Sequence, residues 1–148
     1  MNPDFRDMLF ALSDEGAEFL VVGAYAMAAH GFTRATADID LWVRRSPENA
    51  QRVMRGLIRF RAPLFDVTVE DLNAPDIVFQ IGAPPRRIDI LTSISGIEFD
   101  AAWDHRVELI VEGRAFFAIG KSDLVQNKKA TGRHKDQIDV AWLESQSQ

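Results

Sequence analysis

The chain has 148 residues, of which 47% are apolar and 26% are charged, and these proportions exclude a disordered chain and a fibrous repeat. Acidic residues number 22 and basic residues 17, and the net charge of −5 argues against a protein that coats nucleic acid without specificity. The absence of cysteine excludes disulfides, thiolate zinc sites and cysteine nucleophiles. Because the sequence shows neither a signal-peptide pattern nor a long apolar stretch, we expect a single cytoplasmic domain over residues 1–148, with no membrane partner.

Apolar residues recur at helical spacing in some segments and form short continuous runs in others. This spacing predicts helices over 4–12, 24–30, 47–61, 99–103, 122–130 and 134–144. The continuous runs predict strands over 18–22, 38–43, 76–81, 87–91, 107–111 and 115–119, the last four arranged as two hairpins. Residues 66–73 are compatible with a strand or with a turn of helix. The order of elements favours an α+β fold with a mixed sheet over a doubly wound parallel one.

Two carboxylates share one face of the strand predicted over 38–43. Asp38 and Asp40 are two residues apart, so their side chains project together, whereas Ile39 and Leu41 face the other way. Neighbouring carboxylates repel each other, and a bound Mg²⁺ or Mn²⁺ would relieve that repulsion. A bare Asp-x-Asp pair is also compatible with a strand cap followed by an exposed acid, and both interpretations stay open at this point.

The preceding strand ends in Gly23, and a short helix follows at once. Backbone N–H groups at the start of a helix are free to bind a phosphate. Metal-binding acids beside such a turn indicate a site for a nucleoside triphosphate. In the loop before the acids, Arg34 could pair with the triphosphate through its planar guanidinium, or be a solvated residue or a partner of Asp38.

A third acid, Asp89, lies between Ile88 and Ile90 in an apolar strand, where an unpaired carboxylate is unfavourable. An ion pair with Arg86 or Arg87, or a solvent-facing position, would also account for it. If this strand pairs beside the first two acids, three carboxylates meet at one edge. Such a trio could hold two metal ions for in-line phosphoryl transfer, with Asp89 acting as general base or as a metal ligand that orients the acceptor hydroxyl.

The order of these residues resembles the nucleotidyltransferase superfamily, whose pattern is an apolar residue, Gly-[Gly/Ser], a gap, Asp-x-[Asp/Glu] and a later lone acid on a strand. Gly23-Ala24, Asp38-Ile39-Asp40 and Asp89 follow that order. The pattern A-x-x-x-H-G-x-x-R-x-T-x-D-I-D-L and the helical segment 124–143 also resemble the minimal, AbiEii-like nucleotidyltransferases of toxin–antitoxin and abortive-infection systems. The resemblance covers residues 17–144.

This resemblance implies a nucleotidyltransferase-like mixed sheet with helices packed mainly on one side. It implies an enzyme that uses Mg²⁺ or Mn²⁺ to move a nucleoside monophosphate from an NTP to an acceptor hydroxyl of RNA, tRNA or protein, and that works with a toxin or antitoxin partner. The implied catalytic and metal-binding residues are Asp38, Asp40 and Asp89, and the implied nucleotide-binding residues are Gly23, Ala24, Arg34, Thr36 and Lys128. Because Ala24 stands where superfamily members carry a phosphate-binding serine, the alternative is a catalytically inactive module that binds nucleotide or RNA.

Two further groups of charged residues have competing interpretations. Arg52, Arg55 and Arg59 share one face of the helix predicted over 47–61, which suits a polyanionic acceptor such as tRNA or, more commonly, a solvated surface. Asp136 and Asp139 share a helical face and are expected to pair with neighbouring basic residues or to hold the last two helices together.

Overall fold

The computed structural model of the protein describes residues 1–32, 38–64 and 66–146. Within these ranges the helices are α1 (Pro3–Asp14), α2 (Gly23–Ala29), α3 (Pro47–Phe60), α4 (Val69–Leu72), α5 (Phe99–Asp104), α6 (Lys121–Thr131) and α7 (His134–Ser145). The strands are β1 (Phe19–Val22), β2 (Asp38–Val43), β3 (Val78–Ile81), β4 (Arg87–Leu91), β5 (Val107–Val111) and β6 (Arg114–Ala118). None of the helices in the described ranges is long and apolar enough to cross a membrane.

Local sequence signals account for the ends of the longer helices. The Asn2 side chain accepts a hydrogen bond of 2.7 Å from the backbone of Asp4 and so caps α1. At the start of α3, the Ser46 hydroxyl accepts a 3.0 Å hydrogen bond from the backbone of Asn49, and proline follows at the first helical position. The predicted helices and strands are confirmed to within two residues at each end, and the ambiguous segment 66–73 contains the short helix α4.

The six strands form one mixed sheet in the order β3-β4-β2-β1-β6-β5. The inner strand β2 runs antiparallel to β1 and parallel to β4. In this register Asp40 lies between Val22 on β1 and Asp89 on β4, and Asp38 lies opposite Arg87. The pairing of β2 with β4 therefore places the third predicted acid directly beside the first two.

Helices cover both faces of the sheet, whereas the sequence predicted them mainly on one side. On one face, α1 and α3 pack against alternate residues of β2, namely Ile39, Leu41 and Val43. On the other face, residues of α2, α5, α6 and α7 pack with Trp42 of β2 and with alternate residues of β1. The physical reason is that every residue of β1 is apolar and buried, as are Leu41, Trp42 and Val43 in succession on β2, so both faces have to be covered. The predicted α+β class with a mixed sheet is confirmed.

Candidate active site

Asp38, Asp40 and Asp89 lie together on one face of the sheet, near the first residues of the inner strands β2 and β4 and not at an outer edge strand. Each contributes a carboxylate oxygen, and these oxygens all lie within 4.8 Å of one another. Asp89 is buried, with 6% of its surface exposed, whereas the other two are partly exposed. The structure thus brings together the three acids that the sequence singled out, while their catalytic roles stay a prediction.

The trio carries more negative charge than its surroundings compensate. The pKa of Asp40 is raised from 3.8 to about 7, first by burial and then by the charges of Asp38 and Asp89 and a hydrogen bond with Asp89. The positive charge of Arg87 opposes these effects only in part. Near neutral pH the metal-free site therefore keeps a proton on Asp40 for much of the time.

Arg87 forms ion pairs with two of the three acids. It lies opposite Asp38 in the register and two residues before Asp89, so its side chain emerges on their face. Its Nη2 contacts Asp38 and also donates a hydrogen bond of 3.3 Å to Asp89 Oδ2, and its Nε lies 3.1 Å from Asp89 Oδ1. The charges of Asp89 and Asp38 raise the pKa of Arg87. Two of the explanations that the sequence allowed for Asp89, an ion pair with Arg87 and a place in the acidic trio, are present at once, whereas a solvent-facing position is excluded by its burial.

One oxygen of Asp89 lies in an ion pair with Arg87 but accepts no hydrogen bond from the described residues. Its Oδ1 is buried and receives no hydrogen bond from the described residues, because the Arg87 Nε beside it does not point at it with hydrogen-bond geometry. A buried carboxylate oxygen without a donor is unfavourable unless an ion or ligand binds it.

Gly23 makes room for the carboxylate of Asp40. Its backbone has a φ of +68°, and a Cβ atom at this position would lie 2.3 Å from Asp40 Oδ2. Any other residue would be strained in this conformation and would displace the carboxylate. The glycine that the sequence placed at the end of a strand is therefore required by the acidic trio itself.

A cleft of about 300 Å³ opens in front of the trio. The sheet side of the cleft is formed by the three acids with Gly23, Ala24 and Arg87, and the opposite side by residues of α6, α7 and the turn between them, including Lys128, Arg133 and Lys135. The predicted nucleotide-binding residues Gly23, Ala24 and Lys128 thus line the same space as the acids. Arg34 and Thr36, also predicted to bind nucleotide, lie outside the described residues.

Lys128 is buried rather than a surface lysine, with 7% of its surface exposed. Its ammonium lies 2.9 Å from Asp139 and 3.3 Å from Asp136 on α7, so it holds the last two helices together. Burial raises the pKa of Asp136, but hydrogen bonds from Thr131 and Arg133 and the charge of Lys128 lower it by more, leaving it below its ordinary value. The two acids do connect the helices as expected, and Lys128 contacts both of them.

Residues 6–146 match the sequence model of a protein family described as a nucleotidyltransferase of unknown function, DUF6036. The chain belongs to this family. A crystal structure from Thermotoga maritima, that of a "putative nucleotidyltransferase", superposes with a TM-score of 0.62 and 17% identity over 98% of this chain and 96% of that chain. That likeness confirms the α+β fold with a six-stranded mixed sheet. No curated protein matches the chain. The superfamily resemblance is confirmed, whereas the AbiEii-like subgroup stays a prediction.

For this member of the nucleotidyltransferase family, sequence reasoning missed three basic residues of the cleft. Arg87 was considered only as a structural partner of Asp89, although the two-residue spacing on a strand placed it on the same face. Arg133 and Lys135 reach the cleft because α7 packs against α6. The sequence pattern allowed the pairing of the two helices, but local spacing does not place Arg133 and Lys135 in front of the acids.

The arginine face of α3 is partly neutralised by Glu15, the residue that follows α1. Arg55 and Arg59 lie 3.2 Å and 2.6 Å from the carboxylate oxygens of Glu15, and both side chains remain about half exposed. This arrangement agrees with a solvated surface, and binding of a polyanion here stays a prediction.

Proposed function

We propose that this protein uses a divalent metal ion to transfer a nucleoside monophosphate from an NTP to an acceptor hydroxyl. The observation that carries the proposal is the cluster of Asp38, Asp40 and Asp89 at the floor of a cleft, in a chain that belongs to a nucleotidyltransferase family. In the reaction the acceptor oxygen forms a bond to the α-phosphorus, the bond to the bridging oxygen breaks, and pyrophosphate leaves.

The donor set suits Mg²⁺ or Mn²⁺. Hard cations of this kind prefer carboxylate oxygens, and three are available within 4.8 Å of one another. The raised pKa of Asp40 and the buried Asp89 Oδ1 without a hydrogen-bond donor both indicate a site that is short of positive charge. When bound, the cation supplies Lewis-acid stabilisation of the phosphoryl oxygens and lowers the pKa of a coordinated hydroxyl.

The residues of the chain have distinct roles in this proposal. Asp38, Asp40 and Asp89 would hold the cation, and Asp89 would in addition orient the acceptor hydroxyl or take up its proton. Gly23 lets the backbone and the Asp40 carboxylate approach each other closely. Ala24 and Lys128, which line the same cleft, would lie beside the triphosphate, and Arg34 and Thr36 are proposed as further nucleotide ligands on the resemblance alone.

The acceptor is proposed to be RNA, including tRNA, or a protein hydroxyl, within a toxin–antitoxin or abortive-infection pair. The resemblance of segment 124–143 to AbiEii-like enzymes supports this context. The exposed arginines of α3 supply a surface on which an RNA backbone could bind.

The test is incubation of the protein with each α-labelled NTP, Mg²⁺ and either total RNA or cell lysate. We expect label to enter one class of macromolecule and pyrophosphate to be released, with both signals lost in Asp40→Asn and Asp89→Asn. Asp66→Asn, which makes the same charge change on the exposed surface, is the matched control.

The competing function is an inactive module that binds nucleotide or RNA, and Ala24 in place of a serine favours it. Calorimetric titration with NTPs, with and without Mg²⁺, separates the two functions. NTP binding that needs no metal, together with no release of pyrophosphate for any NTP, would establish the module and contradict the enzyme.

A further inference from the structure

The Arg87 guanidinium contacts a carboxylate of β2 and a carboxylate of β4. It contacts Asp38 through Nη2 and Asp89 through both Nε and Nη2, at 3.1 Å and 3.3 Å. One unit of positive charge thus spans two of the three carboxylates that form the candidate metal cluster.

A divalent cation bound to the same carboxylates would lie within a few ångströms of that guanidinium. Like charges at such a distance repel strongly in a partly buried site. The Arg87 side chain is 30% exposed and lines the cleft, so it can leave the acids without unpacking the core. Its planar fork is suited to bidentate contact with a phosphate, the group that an NTP would bring into this cleft.

We propose that Arg87 is the resident counter-ion of the metal-free site, and that binding of a divalent cation displaces its guanidinium from Asp38 and Asp89 into the cleft, where it binds a phosphate of the nucleotide. This inference rests on the metal site of the proposed function. Arg87 thereby helps to position the nucleotide, because its guanidinium becomes free to bind a phosphate only when the metal ion has displaced it from the acids. The opposite role for Arg87 is that of a permanent structural partner that holds Asp38 and Asp89 in place. In that role, removal of the Arg87 side chain would weaken metal binding.

Titration of Mn²⁺ into the protein without nucleotide distinguishes these roles. We expect Arg87→Gln to bind Mn²⁺ about tenfold more tightly than the parent, because the competing cation is gone. Arg86→Gln removes the same charge from the adjacent exposed position and should bind like the parent. With saturating Mg²⁺ present, Arg87→Gln should bind NTP about tenfold more weakly, which a purely structural arginine would not cause. Mn²⁺ affinity that is unchanged or weaker in Arg87→Gln overturns the inference.

A second measurement uses the parent protein and does not depend on how well a variant folds. In the metal-free protein the Nε–H proton of Arg87 should exchange slowly with water, because its nitrogen is buried beside Asp89, and Mg²⁺ should accelerate that exchange. Exchange that stays slow at saturating Mg²⁺ overturns the inference while leaving the proposed function intact. A parent protein that binds neither Mn²⁺ nor Mg²⁺ contradicts the metal site itself, and the inference with it.

Discussion

Replacement of Asp40 by asparagine removes a carboxylate whose ionisation is unfavourable in the folded protein. The pKa of this group rises from 3.8 to about 7 in the folded state, chiefly through burial and the neighbouring charges of Asp38 and Asp89. A difference of this size corresponds to as much as about 4 kcal/mol of folding free energy once the carboxyl is ionised in both states. An asparagine amide, which is neutral like the protonated carboxyl, avoids that cost.

The sign of the effect follows from proton binding. Below about pH 4 the group is protonated in both the folded and the unfolded chain, so Asp40→Asn should change the free energy of unfolding little. Between about pH 4 and pH 7 only the folded state holds the proton, and the parent loses stability as the pH rises. At about pH 8 the metal-free variant should therefore be the more stable protein, by as much as about 4 kcal/mol.

Urea unfolding in the presence of a chelator, at pH values from about 4 to 8, measures this directly. Asp66→Asn is the control, because it makes the same substitution at an exposed position. A gain in stability that is equal at both ends of the pH range, or no gain at about pH 8, refutes the electrostatic reasoning. Added Mg²⁺ should stabilise the parent at about pH 8 and should stabilise Asp40→Asn much less.

Substitutions of Gly23, Lys128 and Asp89 test the backbone, the packing and the chemistry of the site. Gly23→Ala should lower the free energy of unfolding by more than the roughly 1–2 kcal/mol expected for an alanine in a left-handed backbone conformation. It should also abolish Mn²⁺ binding, because the added Cβ would displace the Asp40 carboxylate. Gly132→Ala is the control in thermal melts, since Gly132 has a φ of +67° and open space around it, so only the backbone effect remains. Lys128→Met should lower the urea-unfolding free energy by about 3–5 kcal/mol, since two buried carboxylates lose their shared cation. Asp89→Asn should slow nucleotide transfer about a hundredfold or more while NTP binding and metal-free stability persist, and a loss of stability with activity retained would contradict its catalytic role.

Much of the fold could be predicted from local pattern. The helix that starts after Ser46, the paired carboxylates of β2 and the glycine at the end of β1 are all set by residues within a few positions of one another. The same holds for the superfamily resemblance, because its motif from Gly23 to Asp40 lies on one strand-helix-strand segment. Short-range spacing fixes which side chains share a face, and no distant contact is needed to interpret it.

The distribution of helices over the sheet could not be predicted in this way. Burial on both faces follows from the inner position of β1 and β2, and that position depends on strands far along the chain, such as β4 and β6. Alternate residues of β2 belong to two different cores, one with α1 and α3 and the other with the C-terminal helices. Residues that are adjacent in the sequence of β2, such as Leu41 and Trp42, therefore belong to cores on opposite faces of the sheet.

The sequence by itself determined the kinds of side chain at the site: two carboxylates on one strand, a lone acid on another, and a glycine before them. Only the tertiary structure decided that β4 lies beside β2 with Asp89 opposite Asp40, that Arg87 pairs with Asp38, and that Lys128 is buried between helices. Strand order and helix packing depend on contacts between residues distant in the chain. The charge balance of the site depends on those same contacts, because the Coulomb energy of each carboxylate is set by its distance to charges that other elements supply.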